Sequence, residues 1–373
     1  WLNGKQIGER PMGYVSQRYD ITDNLRADGP NILAVRADTS AAPSSRWYNG
    51  SGIYRNVRLV ETSDVNIPQD GLFAMTPEIT ANSATVSISA EVHNSSASSR
   101  GAKIEVTIIG PDGKSVAKTE ASIPAIAPGA TETLKPRVTL ASPRRWSLED
   151  PALYKASVRV LGADGAVLDS QTVKFGVREA KFDPATGFSL NGKNFKLKGV
   201  ALHHDGGAVG AAVPLDVWRQ RLTALKSQGV NAIRTAHNVP APEFLDLADE
   251  LGLVVMDELF DQWTVNKTPE DYSLFFRDWH ERDAREHRIQ VGGVRPVGGQ
   301  EVEEGLVVQM HEHPADVEND VTDQAASVDP QIVRHSKASA ALAMCAGRHR
   351  MRPASIKAGR PSRCRHRPRC RSR

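Results

Sequence analysis

Three short clusters of ionisable and aromatic side chains stand out: His203-His204-Asp205, Arg234-Thr235-Ala236-His237-Asn238, and Asp257-Glu258 with Asp261-Gln262-Trp263 after it. Imidazole, guanidinium and carboxylate groups hydrogen-bond sugar hydroxyls, and an indole face stacks on the apolar side of a pyranose. Each cluster ends an apolar run that reads as a strand. In a barrel of parallel strands, functional side chains come from the C-terminal strand ends and the loops that follow. One polar strand end could be chance, but three together form a mouth suited to a polyhydroxylated ligand. Plainer readings stand beside this one. His203, His204, Asp205 and His237 would make a metal set, although their spacing is not of the zinc type. Arg234 would serve only as the partner of Asp257 or Glu258 in a buried ion pair. Trp263 would be ordinary loop packing, and adjacent carboxylates such as Asp257-Glu258 are common at strand ends.

The elements that must position these clusters follow from periodicity. Residues 195–201 read as a strand. Residues 214–228 read as a helix, with Trp218, Leu222 and Leu225 at i, i+4 and i+7 and Gly229 as its stop. Residues 230–234 are a second strand. Residues 243–251 are a second helix, with Phe244, Leu247 and Leu251 on one stripe and Gly252 behind them. Residues 253–257 are a third, buried strand, and a third helix spans 272–283 with Phe275, Phe276 and Trp279. Strands and helices alternating with short loops mean parallel βαβ units.

Upstream, the period is two. Residues 84–92 and 103–109 alternate apolar and polar, and Pro111-Asp112-Gly113 and Gly162-Ala163-Asp164-Gly165 mark turns. Such strands across 66–177 suggest an immunoglobulin-like β-sandwich. Residues 1–62 read as short strands at 31–36 and 53–60, preceded by the hairpin signal Trp1-Leu2-Asn3-Gly4-Lys5.

Length and composition bound the rest. At 373 residues, 40% hydrophobic and 24% charged, the chain has room for two or three domains. No run approaches the ~18 consecutive apolar residues of a membrane-spanning helix. The net charge of +3 hides an asymmetry, because 13 of the 47 basic residues and no acidic one lie in 331–373. The first 330 residues therefore carry 34 basic against 44 acidic side chains. All three cysteines, Cys345, Cys364 and Cys370, are in that tail, so no disulfide framework holds the body. Residues 284–373 show neither period and read as disordered or as out-of-frame translation from near residue 283. The competing readings of the tail are electrostatic nucleic-acid binding and a Cys-x-His-x3-Cys metal site. Without aromatic interleaving or a recognisable binding fold, the tail is not expected to bind nucleic acid, and no membrane partner is expected.

The chain resembles glycoside hydrolase family 2, β-galactosidases more than β-glucuronidases or β-mannosidases. The resemblance covers residues 1 to about 283. It rests on Trp1-Leu2-Asn3-Gly4, Gly13-Tyr14 with Tyr19-Asp20-Ile21-Thr22, and Ser45-Arg46-Trp47-Tyr48-Asn49-Gly50-Ser51-Gly52-Ile53-Tyr54-Arg55. Lys198-Gly199-Val200 with His203-His204-Asp205, residues 231–238, and Val254-Val255-Met256-Asp257-Glu258 match the first three barrel strands. The resemblance implies a multidomain β plus α/β architecture. Its parts are a partial sugar-binding jelly roll (1–62), an immunoglobulin-like sandwich (66–177) and the first three βα units of a (β/α)8 TIM barrel (178–283), followed by the basic tail (284–373). It implies that His203, Arg234 and His237 line the subsite of the non-reducing sugar. Asp205, Asp257, Glu258 and Trp263 join them, with Arg46 reaching in from the first domain. The implied substrate is a β-galactoside oligosaccharide or glycoconjugate. The implied cofactor is Mg²⁺ or Na⁺ without assignable ligands, and a homo-oligomer is the implied assembly.

A retaining glycosidase needs an acid/base and a nucleophilic carboxyl group about 5–5.5 Å apart. In the family the acid/base ends a Ser-x-Gly-Asn-Glu-like strand four and the nucleophile is a Glu near the end of strand seven. Neither segment occurs here, and no Glu follows Glu318. The expectation is an inactive fragment of a retaining β-galactosidase. The alternatives are a β-glucuronidase or β-mannosidase of the same family, or a non-catalytic carbohydrate-binding protein. The chain begins at Trp1 with no visible leader, so periplasmic, extracellular and cytoplasmic locations all stay open.

Overall fold

The structure, a computed structural model, describes residues 1–40, 52–261 and 263–289, with side chains described up to residue 284. Arg46 and the basic tail beyond Ile289 lie outside the described residues.

The Asn-Gly signal at the start forms the turn it predicts. Asn3 and Gly4 both take positive φ, 53° and 89°. Leu2 and Lys5 exchange two backbone hydrogen bonds of 2.8 and 2.9 Å, the arrangement of a type I′ hairpin turn. The strands expected at 31–36 and 53–60 are not ladder strands. Leu2 bridges Leu33 singly, and Leu33, Val57, Leu59 and Val60 are exposed. A period-two pattern becomes a strand only where a neighbour supplies partners for its backbone groups, and here the described pairing stops at single bridges.

The sandwich follows its alternation closely. One sheet contains β1 (Val65–Asn66), β2 (Leu72–Ile79), β3 (Ser83–Asn94), β6 (Thr131–Leu134) and β7 (Arg137–Ala141), with β3 at its centre. The other has the order β5-β4-β8-β9, from β4 (Arg100–Ile109), β5 (Ser115–Ile126), β8 (Leu153–Leu161) and β9 (Val167–Gly176). Every second residue of β3 is buried, and Val86, Ile88 and Val92 meet Ile104, Val106 and Ile108 of β4 and Val158 and Val160 of β8 in one core.

Between the sandwich and the βαβ units lies a small antiparallel sheet that periodicity did not reveal: β10 (Ala180–Asp183), β11 (Gly187–Leu190) and β12 (Lys193–Asn194). Its strands are too short for an alternation to register. Phe188 and Leu190 of this sheet pack with Trp146, Ala232 and Val254. Ala232 and Val254 open the second and third strands of the parallel sheet that follows, so this cluster closes its N-terminal end.

That sheet has the order β13 (Gly199–Leu202), β14 (Ala232–Thr235), β15 (Val254–Asp257), all parallel. Helix α1 (Leu215–Ser227) and helix α2 (Pro242–Leu251) connect the strands, and Trp218, Leu222, Phe244 and Leu247 pack on Ile233, Leu253 and Val255. Gly252 ends α2 in the left-handed region with φ 69°. A β-carbon there would also stand 2.5 Å from the Leu148 carbonyl oxygen, so the sandwich approaches the helix end too closely for any side chain. Helix α3 (Ser273–Ile289) runs past the expected end at Asp283, so the first residues of the stretch read as patternless are helical. No described helix is long and apolar enough to cross a membrane.

Two interfaces bind the sandwich and the first domain to the βαβ units. Trp146 is buried beneath Arg178, whose guanidinium lies 4.2 Å from the indole centroid. The indole NH donates to the Asp249 carbonyl (2.9 Å), and Arg178 pairs with the Asp249 carboxylate at 3.2 Å. On the other side Asp283, fully buried, accepts hydrogen bonds from Arg10 and from the Tyr272 hydroxyl. Burial and the Asp283 carboxylate push the Tyr272 phenol well above its ordinary pKa.

Candidate active site

The parallel register sets three strand ends level: Leu202 pairs with Thr235, and Thr235 with Asp257. The residues one or two places beyond, His203, His237 and Glu258, therefore share one rim. On β14, Ile233 faces the helices while Arg234 takes the opposite, inner face, which it shares with Ala232 at the closed end.

Arg234 donates to one carboxylate oxygen of Glu258 through Nε at 2.7 Å and through Nη2. His237 Nδ1 lies 3.2 Å from the other oxygen of that carboxylate and 3.4 Å from Arg234 Nη2. The His203 and His237 ring centroids are 5.4 Å apart. Four of the residues singled out by sequence thus converge. The Arg234 side chain keeps 41% of its surface exposed, so this pair is not sealed from a ligand.

The others take different places. One Asp257 carboxylate oxygen accepts from the Thr235 hydroxyl (3.1 Å), and the same hydroxyl accepts from the Glu258 NH (3.1 Å). Buried Thr235 is therefore the bolt between the two strand ends, a role that its position inside the second cluster could have suggested. Asp205 offers its carbonyl to Arg221 at 2.7 Å. Trp263 donates to the Phe260 carbonyl (3.2 Å) and lies parallel to Phe276 at 6.4 Å, a loop-packing arrangement.

His204 points away from the rim into the first domain. Its ring stacks on Tyr54 (5.9 Å, 14°) and meets the edge of Tyr14 (5.1 Å, 77°). Burial, then the positive charge of Arg55 and the proximity of His203, push its pKa down to about 3. The metal alternative loses this ligand to an aromatic cage. Glu258 is engaged by Arg234 and His237, and one oxygen of Asp257 is held by Thr235. Among the described residues no three His, Cys, Asp or Glu side chains converge on one point. Among the described residues, the rim carboxylates and imidazoles are committed to one another and to Thr235 and do not make a ligand set for Mg²⁺ or Na⁺. A cavity of about 480 Å³ lies beside the cluster, lined by His203, His204, Tyr54, Trp218 and Phe244, but not by Arg234, His237 or Glu258.

A sequence model described as "Glycosyl hydrolases family 2" matches residues 71–178, and one described as "Glycosyl hydrolases family 2, TIM barrel domain" matches 185–287. Together they cover more than half of the chain. The chain belongs to glycoside hydrolase family 2. Its architecture of β-sandwich and jelly-roll-like domains followed by part of a TIM barrel is the family's. Beta-galactosidase BoGH2A of Bacteroides ovatus is 39% identical over 76% of this chain and 33% of its own length. A Formosa agariphila protein provisionally named a beta-glucuronidase is 42% identical over 77% of this chain and 27% of its own. Among solved structures, a family 2 member from Bacteroides cellulosilyticus superposes with a TM-score of 0.69 at 29% identity, over 78% of this chain and 37% of that one. The chain thus spans about a third or less of the length of these two curated relatives.

Proposed function

We propose that this chain carries the terminal-sugar subsite of a retaining glycosidase of the β-galactosidase type. The reading rests on the rim cluster of Arg234, Glu258, His237 and His203 at the C-terminal strand ends of a sheet that belongs to a family 2 TIM barrel. The Arg234 guanidinium, the Glu258 carboxylate and the His237 imidazole lie within hydrogen-bonding range of one another, with the His203 ring 5.4 Å from that of His237, and together they present donors and acceptors that suit the vicinal hydroxyls of a hexose. In the whole protein the reaction is a double displacement. One carboxylate attacks the anomeric carbon while a carboxylic acid protonates the departing oxygen, and water then cleaves the glycosyl–enzyme ester. The subsite residues hold and orient the sugar. The sequence has no counterpart of either catalytic carboxyl segment, so the chain is expected to bind without turnover.

A second reading, a β-glucuronidase, is favoured by the 42% identity to the Formosa protein. A glucuronate carboxylate calls for an uncommitted cation, whereas the Arg234 guanidinium is already neutralised by Glu258. Among the described rim residues, that favours the neutral galactoside. The test titrates the chain with methyl β-D-galactoside and methyl β-D-glucuronide by NMR, and incubates it with a chromogenic aryl β-galactoside. Galactoside binding without hydrolysis supports the proposal, glucuronide preference moves it to the second reading, and binding of neither overturns it.

A further inference from the structure

The two rim histidines stand on separate loops, His203 between β13 and α1 and His237 between β14 and α2. Both loops are also contacted from the first domain. Arg55 reaches across the domain boundary and donates to the Val239 carbonyl through Nη2 (2.8 Å) and to the Pro240 carbonyl through Nη1 (3.4 Å). The same Nη1 donates to the Tyr14 carbonyl at 3.0 Å. Val239 follows His237 by two residues, and its side chain is buried against Met12 and Val15. The neighbouring Tyr54 ring stacks on His204, the residue after His203. Two adjacent residues of one segment therefore grip both loops, one through carbonyl oxygens and the other through an aromatic face. Asn56 and Arg58 continue the grip on Glu243 at the start of α2, at 2.7 and 3.0 Å.

We propose that Arg55, assisted by Tyr54, is a positioning residue of the sugar site, which it does not touch: it sets the distance and angle between His203 and His237. This rests on the proposed sugar-subsite reading of that rim. The planar guanidinium fork can hold three carbonyl oxygens in fixed directions at once, whereas an ammonium is a point charge on a flexible stem. Releasing Val239 and Pro240 lets His237 swing on its loop, away from the direction in which it would hydrogen-bond a sugar hydroxyl.

The test uses the whole chain and four variants: Arg55→Met, Arg55→Lys, Tyr54→Leu and Tyr54→Phe. Two readouts are taken, the ring ¹H–¹⁵N correlations of His203 and His237 without sugar, and the Kd for methyl β-D-galactoside. Arg55→Met is expected to shift the His237 correlations and weaken binding by up to about tenfold, the worth of one misdirected hydrogen bond, with Arg55→Lys in between. Tyr54→Leu is expected to move His203. Tyr54→Phe is expected to change neither readout, because the buried Tyr54 hydroxyl has no hydrogen-bond partner among the described residues. If Arg55→Met lowers the unfolding midpoint but leaves the His237 correlations and the Kd at wild-type values, the role is merely structural and the proposal falls. If Arg55→Met does not fold, Arg55→Lys and Tyr54→Leu decide by the same readouts. If the wild-type chain binds no sugar yet Arg55→Met still displaces His237, the positioning role stands and the sugar reading is what fails.

Discussion

Arg234 donates to Glu258 and lies beside His237, so the geometry of the rim depends on one guanidinium with two roles. Replacing Glu258 by Gln keeps the shape but removes the charge that orients that guanidinium. Glu258→Gln is expected to weaken methyl β-D-galactoside binding by about tenfold, measured by NMR titration, while leaving the fold intact. His204 makes the opposite kind of prediction, one about stability. Its folded-state pKa lies near 3, below the ordinary value of 6.5. Between those two pH values the unfolded chain binds the extra proton, so stability rises with pH across the window and His204 adds no pH dependence above it. His204→Phe keeps the aromatic stack and removes the titration. The acid limb of urea unfolding from pH 6.5 down to 4 should flatten relative to wild type, by at most about 1.4 kcal/mol per pH unit. Equal limbs would show that His204 does not titrate as buried.

The βαβ units were legible in the sequence because helix and strand periods are local. Trp218, Leu222, Phe244 and Leu247 fall on the stripes their spacing predicted, and α2 stops at Gly252. The sandwich was legible for the same reason, since the alternation in β3 and β4 is long enough to register. The short sheet β10–β12 was not, because strands of two to four residues carry no measurable period. The expected strands at 31–36 and 53–60 failed for the converse reason: their pattern was present but their pairing was not. Gly252 carries a prediction of its own. Gly252→Ala forces a side chain into a left-handed backbone, worth about 1–2 kcal/mol, and against the Leu148 carbonyl as well. A loss of about 2 kcal/mol or more in urea unfolding is expected, and a neutral substitution would mean that the sandwich does not rest on the end of α2.

The sandwich core is closed on both faces, whereas β13 and β15 are the two edges of a three-stranded parallel sheet among the described residues. Hydrogen exchange should therefore be slowest at Val86, Ile88, Ile104 and Val106, and markedly faster in β13 and β15. Equal protection would mean that the parallel sheet is covered. The domains are also held by side chains far apart in sequence. Asp283 with Arg10, Trp146 with Asp249, and Arg55 with Val239 are pairs that no window of sequence brings together. The family, the order of sandwich and βαβ units, and the residue types at the rim can be read from the chain alone, because periodicity and strand-end chemistry are written within a few residues. Which of those residues meet depends on how distant segments pack. The parallel register gathered Arg234, His237, Glu258 and His203, turned His204 into an aromatic cage and Trp263 onto Phe276, and placed Arg55 of the first domain behind the rim. Register and domain docking are set by packing between distant segments, and that packing is invisible to any local pattern.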